Sequence, residues 1–417
     1  MKICDIAQFY SPLGGGVKRY LHEKVRHVEA HPEMQHVMIR PGPEDTVIRH
    51  GRTVVYEVDS PRLPGSASYR MLLSRRRILR ILARERPDVL EVDGPYRAAW
   101  VAVEGGRRFG VPVVGFYHSD FPRSLGRTME RFLGRLAHVC DPWTTRYVVG
   151  LYNRMQLTVA PSPAVARALD GCGVERLRTV PLGVDVERFR PRPQAAARLR
   201  QELGLGAGDV LLTYVGRLAR EKNVEVLIDA VETLRARPDG ARYHLLLVGD
   251  GELRRKVERA GDKRPAIHWR PYTQTAADLA ACYTAGDLML HAGIYETFGL
   301  VSIEAQACGT RVVAVEGGGL DSTLAGEEPV VMAAEAEPTA MAEAVVAALA
   351  AEGPESREKR RRRIVERFAV GLTFERLTGL YQQVIDCARA GREIPNHVEA
   401  DLAPQPGQAP GTPLSAG

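Results

Sequence analysis

The sequence predicts an α/β fold in which parallel sheets carry helices on both faces. Short apolar strands alternate with helical segments along almost the whole chain, and this alternation is typical of βαβ units. The chain has 417 residues, which is enough for two domains. Its hydrophobic content of 45% and its charged content of 26% are those of an ordinary globular protein.

Residues 1–190 supply the first predicted sheet. One helix begins near Val17, and another begins after Pro161 with Ser162 as its N-cap. A further helix over residues 69–86, YRMLLSRRRILRILARER, interleaves apolar positions with arginines. The predicted strands cover residues 3–9, two stretches within 36–58, 89–92, 111–117, 157–160 and 178–181.

The rest of the chain supplies the second predicted sheet. Residues 357–367 form a basic helical run, which we interpret as a solvated face. Residues from Gly391 onward are rich in Pro, Gly and Ala and predict a disordered tail. The predicted strands cover residues 210–215, 244–248, 267–269, 288–290 and 311–315, and the other predicted helices begin at 224 and 300 or cover 278–285, 336–351 and 374–388.

Composition excludes several classes of protein. No run of about 18 apolar residues occurs, so no transmembrane helix is predicted. The N-terminus, MKICDIAQFY, lacks the apolar stretch and small-residue cleavage site of a signal peptide. The six cysteines are scattered without a C-x-x-C pair, which favours reduced thiols in the cytoplasm over a zinc site or a disulfide framework.

The net charge of +6 is distributed unevenly. Residues 1–190 hold 30 Lys and Arg against 20 Asp and Glu, whereas the remainder holds 27 against 31. Basic surfaces attract nucleic acid, anionic membranes or acidic ligands. The arginine-bearing helix at 69–86 is therefore either an outer helix with a solvated basic face or an interfacial helix that touches anionic lipid head groups.

The segment Asp287–Gly319 carries the most informative pattern. The periodic apolar positions begin just after Gly299, so Glu296 lies in a loop and Glu304 lies early in the following helix. A helix N-terminus suits an anion such as a diphosphate, and carboxylates accept hydrogen bonds from sugar hydroxyls. The pattern indicates a nucleotide-sugar site, and the alternative is a strand, turn and helix with two solvated glutamates.

Two further loops carry candidate residues. Arg217 and Lys222 lie between the strand at 210–215 and the next helix, where both cations can converge on a diphosphate or can simply be exposed. The glycine run Gly14-Gly15-Gly16 follows the first strand and is either a tight turn or a close approach to a ligand. His118 ends a strand at the edge where α/β proteins bind ligands, and the alternative is a structural histidine.

These motifs resemble those of glycosyltransferase family 4, which are retaining enzymes of the GT-B fold. Residues 296–310, E-T-F-G-L-V-S-I-E-A-Q-A-C-G-T, resemble the family's E-x7-E signature, and residues 216–223, G-R-L-A-R-E-K-N, resemble its diphosphate-binding loop. H-S-D-F-P at 118–122 is similar to its H-[ST]-D-x-P stretch. L-G-V-D at 182–185 resembles its N-G-V-D linker, with Leu in place of the usual Asn.

The resemblance implies two Rossmann-like lobes whose parallel sheets face each other across a cleft. We expect an N-terminal acceptor-binding lobe over residues 1–191 and a nucleotide-sugar-binding lobe over residues 192–371. A helix over residues 372–390 is expected to cross back to the first lobe, and a disordered tail to occupy residues 391–417.

The same resemblance implies the roles of the site residues. His118 stabilises the reacting sugar, Glu296 holds hydroxyls of the donor hexose, and Arg217 and Lys222 stabilise the leaving diphosphate. The residues implied to border the donor are Gly15, Gly16, Gly216, Gly249, Phe298, Gly299, Leu300 and Glu304, the last through the ribose hydroxyls.

The implied reaction moves a hexosyl group from a nucleotide-diphosphate sugar of the GDP-mannose or UDP-hexose type to a hydroxyl acceptor. We identify no enzymatic nucleophile, which agrees with front-face attack in which the departing phosphate takes the acceptor's proton. No D-x-D occurs, so neither a metal nor another cofactor is expected. The basic first half makes a lipid-linked or cell-envelope acceptor an expectation, and nucleic acid is not an expected partner.

Two rival functions stay open at this stage. One is a nucleotide-sugar 2-epimerase on the same fold, and the other is a nucleotide-sugar-binding protein without catalysis. The expected localisation is cytoplasmic, with peripheral contact at the inner face of an anionic membrane suggested by the basic first half.

Overall fold

The computed structural model describes residues 1–10, 16–63, 69–118, 141–272, 275–317, 319–353 and 356–396. These residues form two compact units: the first consists of Met1–Leu182 and the described residues from Gly371 onward, and the second of Gly183–Val370. The domain limits expected at residues 191 and 371 stay predictions. No helix in the described ranges is long and apolar enough to cross a bilayer.

The secondary structure alternates between strands and helices. The strands are β1 Lys2–Ile6, β2 Phe9–Tyr10, β3 Gln35–Gly42, β4 Thr46–His50, β5 Thr53–Asp59, β6 Arg70–Met71, β7 Val89–Val92, β8 Val113–Phe116, β9 Leu157–Ala160, β10 Leu177–Thr179, β11 Val210–Val215, β12 Tyr243–Val248, β13 Ile267–Arg270, β14 Leu288–His291, β15 Arg311–Val315 and β16 Met332–Ala333. The helices are α1 Gly16–Ala30, α2 Arg75–Glu85, α3 Arg97–Phe109, α4 Asp141–Tyr152, α5 Pro163–Gly171, α6 Pro193–Glu202, α7 Val224–Arg235, α8 Arg254–Lys263, α9 Ala276–Ala285, α10 Leu300–Ala307, α11 Asp321–Leu324, α12 Pro338–Ala350, α13 Ser356–Phe368 and α14 Val370–Arg389.

The first unit is built on a sheet with the strand order β10-β9-β8-β7-β1-β3-β5-β4. Its neighbouring strands are parallel except for β4, which runs antiparallel to β5 at one edge. Ile6 and Val92 face a core that includes Leu82 of α2 and Ala102 of α3. The N-cap of α5 is Ser162 as predicted, because its side chain accepts a hydrogen bond from the Val165 N–H at 3.3 Å.

The second unit is built on an entirely parallel sheet with the strand order β13-β12-β11-β14-β15-β16. Every residue of β11 is buried, as expected for a strand covered by helices on both faces. Leu212 and Leu290 pack with Leu227 of α7 and Val345 of α12. Because the strands are parallel, the loops after β11, β12 and β14 all lie at the carboxyl edge of this sheet.

The helix predicted over residues 69–86 is wrong in its first part. β6 pairs antiparallel with β2, and the Leu72 N–H donates to the Gln8 carbonyl at 2.9 Å. The helix begins only at Arg75. Backbone groups that this strand pairing satisfies cannot also enter a helix, so the tertiary contact overrides the local periodicity.

The prediction of two strands within residues 36–58 is also wrong, because the structure has three. β3 ends at Gly42, and β4 and β5 then form a hairpin. Gly51 lies at its tip with φ of 51°, in the left-handed region that glycine adopts without strain. The sequence pattern did not separate β4 from β3 and β5, because few turn residues lie between these strands.

The basic run at residues 357–367 is not the solvated face that we predicted. The Arg360 side chain is only 1% exposed, and its guanidinium donates to the Glu327 carboxylate at 2.8 Å, the Glu352 carboxylate at 3.1 Å and the Gly309 carbonyl at 2.6 Å. Buried arginines occur where carboxylates and main-chain carbonyls accept hydrogen bonds from the guanidinium N–H groups. Periodicity alone could not reveal those partners, because they are distant in sequence.

A neighbouring arginine on α13 serves α10 in the same way. The Arg361 guanidinium donates to the Ala307 carbonyl at 2.7 Å and to the Phe189 carbonyl at 3.0 Å. Ala307 is the last residue of α10, where main-chain carbonyls lack partners within the helix. α13 therefore anchors the C-terminal end of a helix whose other end carries the candidate site.

We expect Arg360→Met to lower the free energy of unfolding by about 3 kcal/mol, because Glu327 and Glu352 would lose one of the buried arginines that compensate their charge, while Arg311 remains beside both. The matched control is Arg362→Met on the same helix, since that side chain is 64% exposed and pairs with Glu358 at the surface. The control is expected to cost less than about 1 kcal/mol. Urea unfolding of both variants measures the difference, and equal midpoints would contradict the structural role of Arg360.

Candidate active site

The segment around α10 has the predicted arrangement of a strand, a loop and a helix. β14 ends at His291, Glu296 lies in the loop, and α10 begins at Leu300. The residue before the helix, Gly299, has φ of 84°, which lets the chain turn sharply into the first helical turn. The main-chain N–H groups of that turn lie beside the loop that carries Glu296.

The Glu296 carboxylate is the centre of the site. The Lys222 ammonium forms an ion pair with it, and His291 Nε2 lies 3.2 Å from Glu296 Oε1. Partial burial opposes ionisation of Glu296, but the hydrogen bond from His291 and the charge of Lys222 outweigh it and lower its pKa to about 2. Glu296 is therefore a carboxylate at neutral pH. It is held by His291 at the end of β14 and by Lys222 in the loop after β11.

A close backbone approach fixes the same loop from the other side. A Cβ atom on Gly319 would lie 1.6 Å from the Glu296 carbonyl oxygen, which no side chain could tolerate. Gly319 ends the glycine run after β15, and its neighbour Gly318 lies outside the described residues. The glycine lets the two loops touch, so the position of Glu296 is set by main-chain packing as well as by its ion pair.

The loop after β11 is fastened to the loop after β12. The Gly216 N–H donates to the Val248 carbonyl at 3.0 Å, and the Leu218 N–H donates to the Asp250 carbonyl at 2.9 Å. A Cβ atom on Gly249 would lie only 1.9 Å from the Gly216 carbonyl oxygen. The two predicted glycines thus allow adjacent loops to meet at the sheet edge.

The two predicted cations of this loop have different surroundings. Lys222 is 16% exposed and bound to Glu296, whereas the Arg217 side chain is 70% exposed and lies 3.8 Å from Glu221. The structure therefore brings Lys222 to Glu296 and leaves the Arg217 guanidinium directed to solvent. Their predicted convergence on a diphosphate stays a prediction.

The other predicted residues of α10 are buried to different degrees. The Glu304 carboxylate is almost fully buried and accepts a hydrogen bond from the Tyr283 hydroxyl at 2.9 Å. The Phe298 ring packs 5.9 Å from that of Phe368, and Leu300 is half-buried. The Tyr283 hydroxyl thus orients the Glu304 carboxylate, and the predicted role of Glu304 at the ribose stays a prediction.

His118 lies in the first unit, just after β8. Its ring stacks on Phe116 with ring centroids 4.1 Å apart and meets the Tyr20 ring edge-on at 4.6 Å. Burial and the nearby charge of Lys24 lower the pKa of His118 to about 3, so its imidazole is neutral at pH 7. Gly16 is the first residue of α1, while Gly15 and the H-S-D-F-P residues after His118 lie outside the described ranges.

The sequence matches two models of one enzyme family. "Glycosyltransferase Family 4" matches residues 14–188, and "Glycosyl transferases group 1" matches residues 209–351. The chain belongs to glycosyltransferase family 4. It is therefore a glycosyltransferase, and both the strand-end histidine and the Glu296 loop fall within the matched residues.

The curated relatives are named as enzymes that transfer mannosyl or other glycosyl groups. A GDP-mannose-dependent alpha-(1-6)-phosphatidylinositol dimannoside mannosyltransferase of Mycobacterium tuberculosis is 28% identical over 90% of this chain and 93% of its own length. A GDP-mannose-dependent alpha-mannosyltransferase of Corynebacterium glutamicum is 27% identical over 76% of this chain and 73% of its own. A D-inositol 3-phosphate glycosyltransferase of Segniliparus rotundus is 40% identical over a shorter stretch, 36% of this chain and 34% of its own.

Solved structures show the fold of this family-4 glycosyltransferase. Anabaena HepE in complex with UDP aligns with a TM-score of 0.70 and 20% identity over 92% of this chain and all of its own. Sucrose-phosphate synthase from Thermosynechococcus elongatus aligns with a TM-score of 0.71 and 22% identity over 93% of this chain and all of its own. The predicted GT-B fold is confirmed.

Sequence reasoning missed His291, which the structure places against Glu296. The same signal that selected His118 could have found it, because His291 also ends a buried apolar strand at the carboxyl edge of a parallel sheet. Among the described residues of this glycosyltransferase, no cluster of three or more His, Cys, Asp and Glu side chains is placed to hold a metal ion. The expected independence from metals stays a prediction.

We expect His291→Phe to raise the pKa of Glu296 above about 2, because burial then opposes ionisation without the hydrogen bond that offsets it. If ionised Glu296 is required, the acidic limb of the rate–pH profile will move to higher pH, while the rate above that limb persists. The control is His291→Gln, which keeps a hydrogen-bond donor. Identical acidic limbs for the parent and His291→Phe would contradict this assignment.

Proposed function

We propose that this glycosyltransferase is a retaining mannosyltransferase that uses GDP-mannose and transfers the sugar to a hydroxyl of a membrane-lipid or cell-envelope acceptor without a metal ion. The observation that carries the proposal is the ion pair of Lys222 with Glu296 beside the N-terminus of α10. It combines a cation and main-chain N–H groups, which suit a diphosphate, with a carboxylate, which accepts hydrogen bonds from sugar hydroxyls.

The main barrier to transfer is the charge that develops on the leaving diphosphate. In the proposed reaction the bond from the anomeric carbon to the phosphate oxygen breaks, and the electron pair stays with GDP. Lys222, the exposed Arg217 and the N-terminus of α10 would neutralise that charge. These fixed charges take the place that a divalent metal holds in other enzymes, which supports metal-independent transfer.

Retention of configuration requires the acceptor to bond on the face that the phosphate leaves. The acceptor hydroxyl would attack the anomeric carbon, and its proton would pass to the departing phosphate oxygen, so no protein nucleophile is needed. Glu296 would accept hydrogen bonds from hexose hydroxyls, and Glu304 from the ribose. His118, neutral at pH 7, would hold the reacting sugar through a hydrogen bond.

The names of the relatives favour this donor and this type of acceptor. Several are GDP-mannose-dependent, and one acts on a phosphatidylinositol dimannoside. A UDP-hexose donor is the second choice, because the residues of the site recognise the diphosphate and not the base. None of the relatives reported above is named as an epimerase, so transfer is favoured over 2-epimerisation.

A surface of the first unit supports contact with an anionic membrane. We define the aromatic–arginine patch as Trp100, Trp143, Arg146, Tyr147 and Arg154. Trp143 on α4 is 71% exposed, and Arg146 is exposed beside it. The Trp100 Nε1–H donates to the Tyr147 hydroxyl at 2.9 Å, and the Arg154 guanidinium lies 5.3 Å from the Trp100 ring. Exposed tryptophan with arginine is typical of surfaces that rest at the membrane–water interface.

The patch is oriented toward the loops that follow the strands of its sheet. The Tyr147 hydroxyl donates to the carbonyl of Pro95, which lies in the loop after β7. His118 lies after the neighbouring strand β8, at the same carboxyl edge. A lipid anchored at the patch could therefore present its head group to the edge that holds His118.

We expect Lys222→Met to lower kcat about 10²- to 10³-fold, because one fixed donor to the developing oxyanion is removed. The assay measures release of nucleoside diphosphate from a panel of GDP-, UDP- and ADP-sugars, and GDP-mannose is expected to react fastest. The control is Lys256→Met, whose exposed ammonium pairs with Glu225 outside the site. A folded Lys222→Met variant with the parent's rate would refute the proposed mechanism, and an epimerised sugar without transfer would favour the rival function.

We expect the protein to bind vesicles that contain phosphatidylglycerol, and the double variant Trp143→Ser/Arg146→Gln to bind them roughly tenfold more weakly, since each basic residue contributes about 1 kcal/mol near such a surface. The control is Ile48→Ser/Arg255→Gln, which removes an exposed apolar group and an exposed cation elsewhere. Flotation at low and high salt measures binding. Equal binding of both double variants, or equal binding to pure phosphatidylcholine, would contradict the patch as an anionic-membrane contact.

A further inference from the structure

The ring of His118 is held on one side by an aromatic residue of α1. Tyr20 meets the imidazole edge-on, with ring centroids 4.6 Å apart and an angle of 61° between the planes. A second restraint comes from Phe116, whose ring is nearly parallel to the imidazole at 4.1 Å. Two aromatic contacts at different angles leave the imidazole little freedom to rotate.

Tyr20 is itself held by a buried charge cluster beneath it. Its hydroxyl donates to the Glu91 carboxylate of β7 at 2.8 Å. The Lys24 ammonium, one helical turn further along α1, donates to Glu91 at 2.7 Å and to the Asp5 carboxylate of β1 at 2.8 Å. Lys24 also lies 4.7 Å from the centre of the Tyr20 ring. The ring is therefore fixed both at its hydroxyl and at its face.

The C-terminal helix of the described chain completes this cluster. The Tyr381 hydroxyl of α14 accepts a hydrogen bond from Lys24 at 3.1 Å and donates to the Glu91 carboxylate. Phe374 of the same helix packs 5.5 Å from the Tyr20 ring. All of these side chains belong to the first unit, and Lys24 and Glu91 are almost fully buried.

A cluster built only for stability does not require this composition. Burying two carboxylates and one ammonium costs more free energy than apolar residues of similar size would, unless the geometry is fully satisfied. Burial raises the pKa of Glu91 to about 7 even with Lys24 beside it. The cluster fixes the orientation of the Tyr20 side chain, because hydrogen bonds are directional whereas apolar contacts are not.

We propose that Tyr20 is a positioning residue for His118, and that Glu91 and Lys24 hold Tyr20 in place for this purpose. The inference rests on the proposed role of His118 at the reacting sugar. A displacement of about 1 Å at a reacting centre can cost about 10²-fold in rate, so a rigid ring beside the imidazole matters for catalysis and not only for folding.

A double-mutant cycle between Tyr20 and His118 tests the proposal. Tyr20→Leu removes the ring, Tyr20→Phe keeps the ring but not the hydroxyl, and His118→Asn removes the imidazole. Each is measured in the full chain by release of nucleoside diphosphate from GDP-mannose, or from the UDP- or ADP-sugar that the donor panel selects. The thermal unfolding midpoint is measured for every variant, and rates are taken well below it.

We expect Tyr20→Leu to lower kcat about 10- to 10²-fold with the donor KM unchanged, and Tyr20→Phe to have a smaller effect because the ring contact remains. In the His118→Asn background, Tyr20→Leu is expected to cause no further loss, since it acts through the imidazole. Should Tyr20→Leu fail to fold, Tyr20→Met replaces it, because a flexible thioether fills the same volume.

Three results would overturn the proposal. In the first, Tyr20→Leu lowers kcat equally in the parent and in the His118→Asn background. In the second, Tyr20→Leu lowers the thermal unfolding midpoint but keeps the parent's kcat. The third is a His118→Asn variant as fast as the parent, which would also remove His118 from the proposed mechanism. Because that third result is read from a single variant, failure of the His118 role is distinguished from failure of the positioning role alone.

Discussion

The site depends on keeping a half-buried carboxylate ionised. Glu296 loses much of its contact with water in the loop before α10, and this loss alone would favour the neutral acid. Lys222 and His291 reverse that preference, and each reaches Glu296 from the end of a different strand or loop. Because the ion pair needs both loops in place, the close approach at Gly319 and the bonds from α13 to the end of α10 are conditions for it.

Each unit pairs a lysine with carboxylates, but the two lysines differ in how deeply they are buried. Lys24 is 1% exposed, and carboxylates and a tyrosine hydroxyl satisfy it on every side, so no ligand can replace those partners without unfolding the cluster. Lys222 is 16% exposed and has a carboxylate partner beside an accessible loop. In the proposed mechanism a diphosphate would share the Lys222 ammonium with Glu296. The degree of burial, and not the type of pair, separates the structural ion cluster from this proposed site.

The sequence was sufficient where a local pattern and the tertiary structure agree. The strands at 89–92, 157–160, 210–215 and 311–315 are short apolar runs between turn signals, and the structure has the same limits. It was insufficient where distant partners decide the outcome. Residues 70–72 pair with β2 and with Gln8 beside it, and Arg360 is buried because Glu327 and Glu352, both outside its helix, surround it. Neither partner leaves a trace in the local periodicity.

The features of the site fall into the same two groups: those that a local motif predicts and those that depend on other elements. The loop position of Glu296 and the helix start after Gly299 follow from a motif that is continuous in sequence. The network around each motif does not, because His291 and Tyr20 come from elements that the motifs do not contain. A motif specifies which atoms face the ligand, whereas the packing of other elements specifies how firmly they are held. In the proposed mechanism the imidazole of His118 belongs to the first category, and the ring of Tyr20 that restricts its rotation belongs to the second.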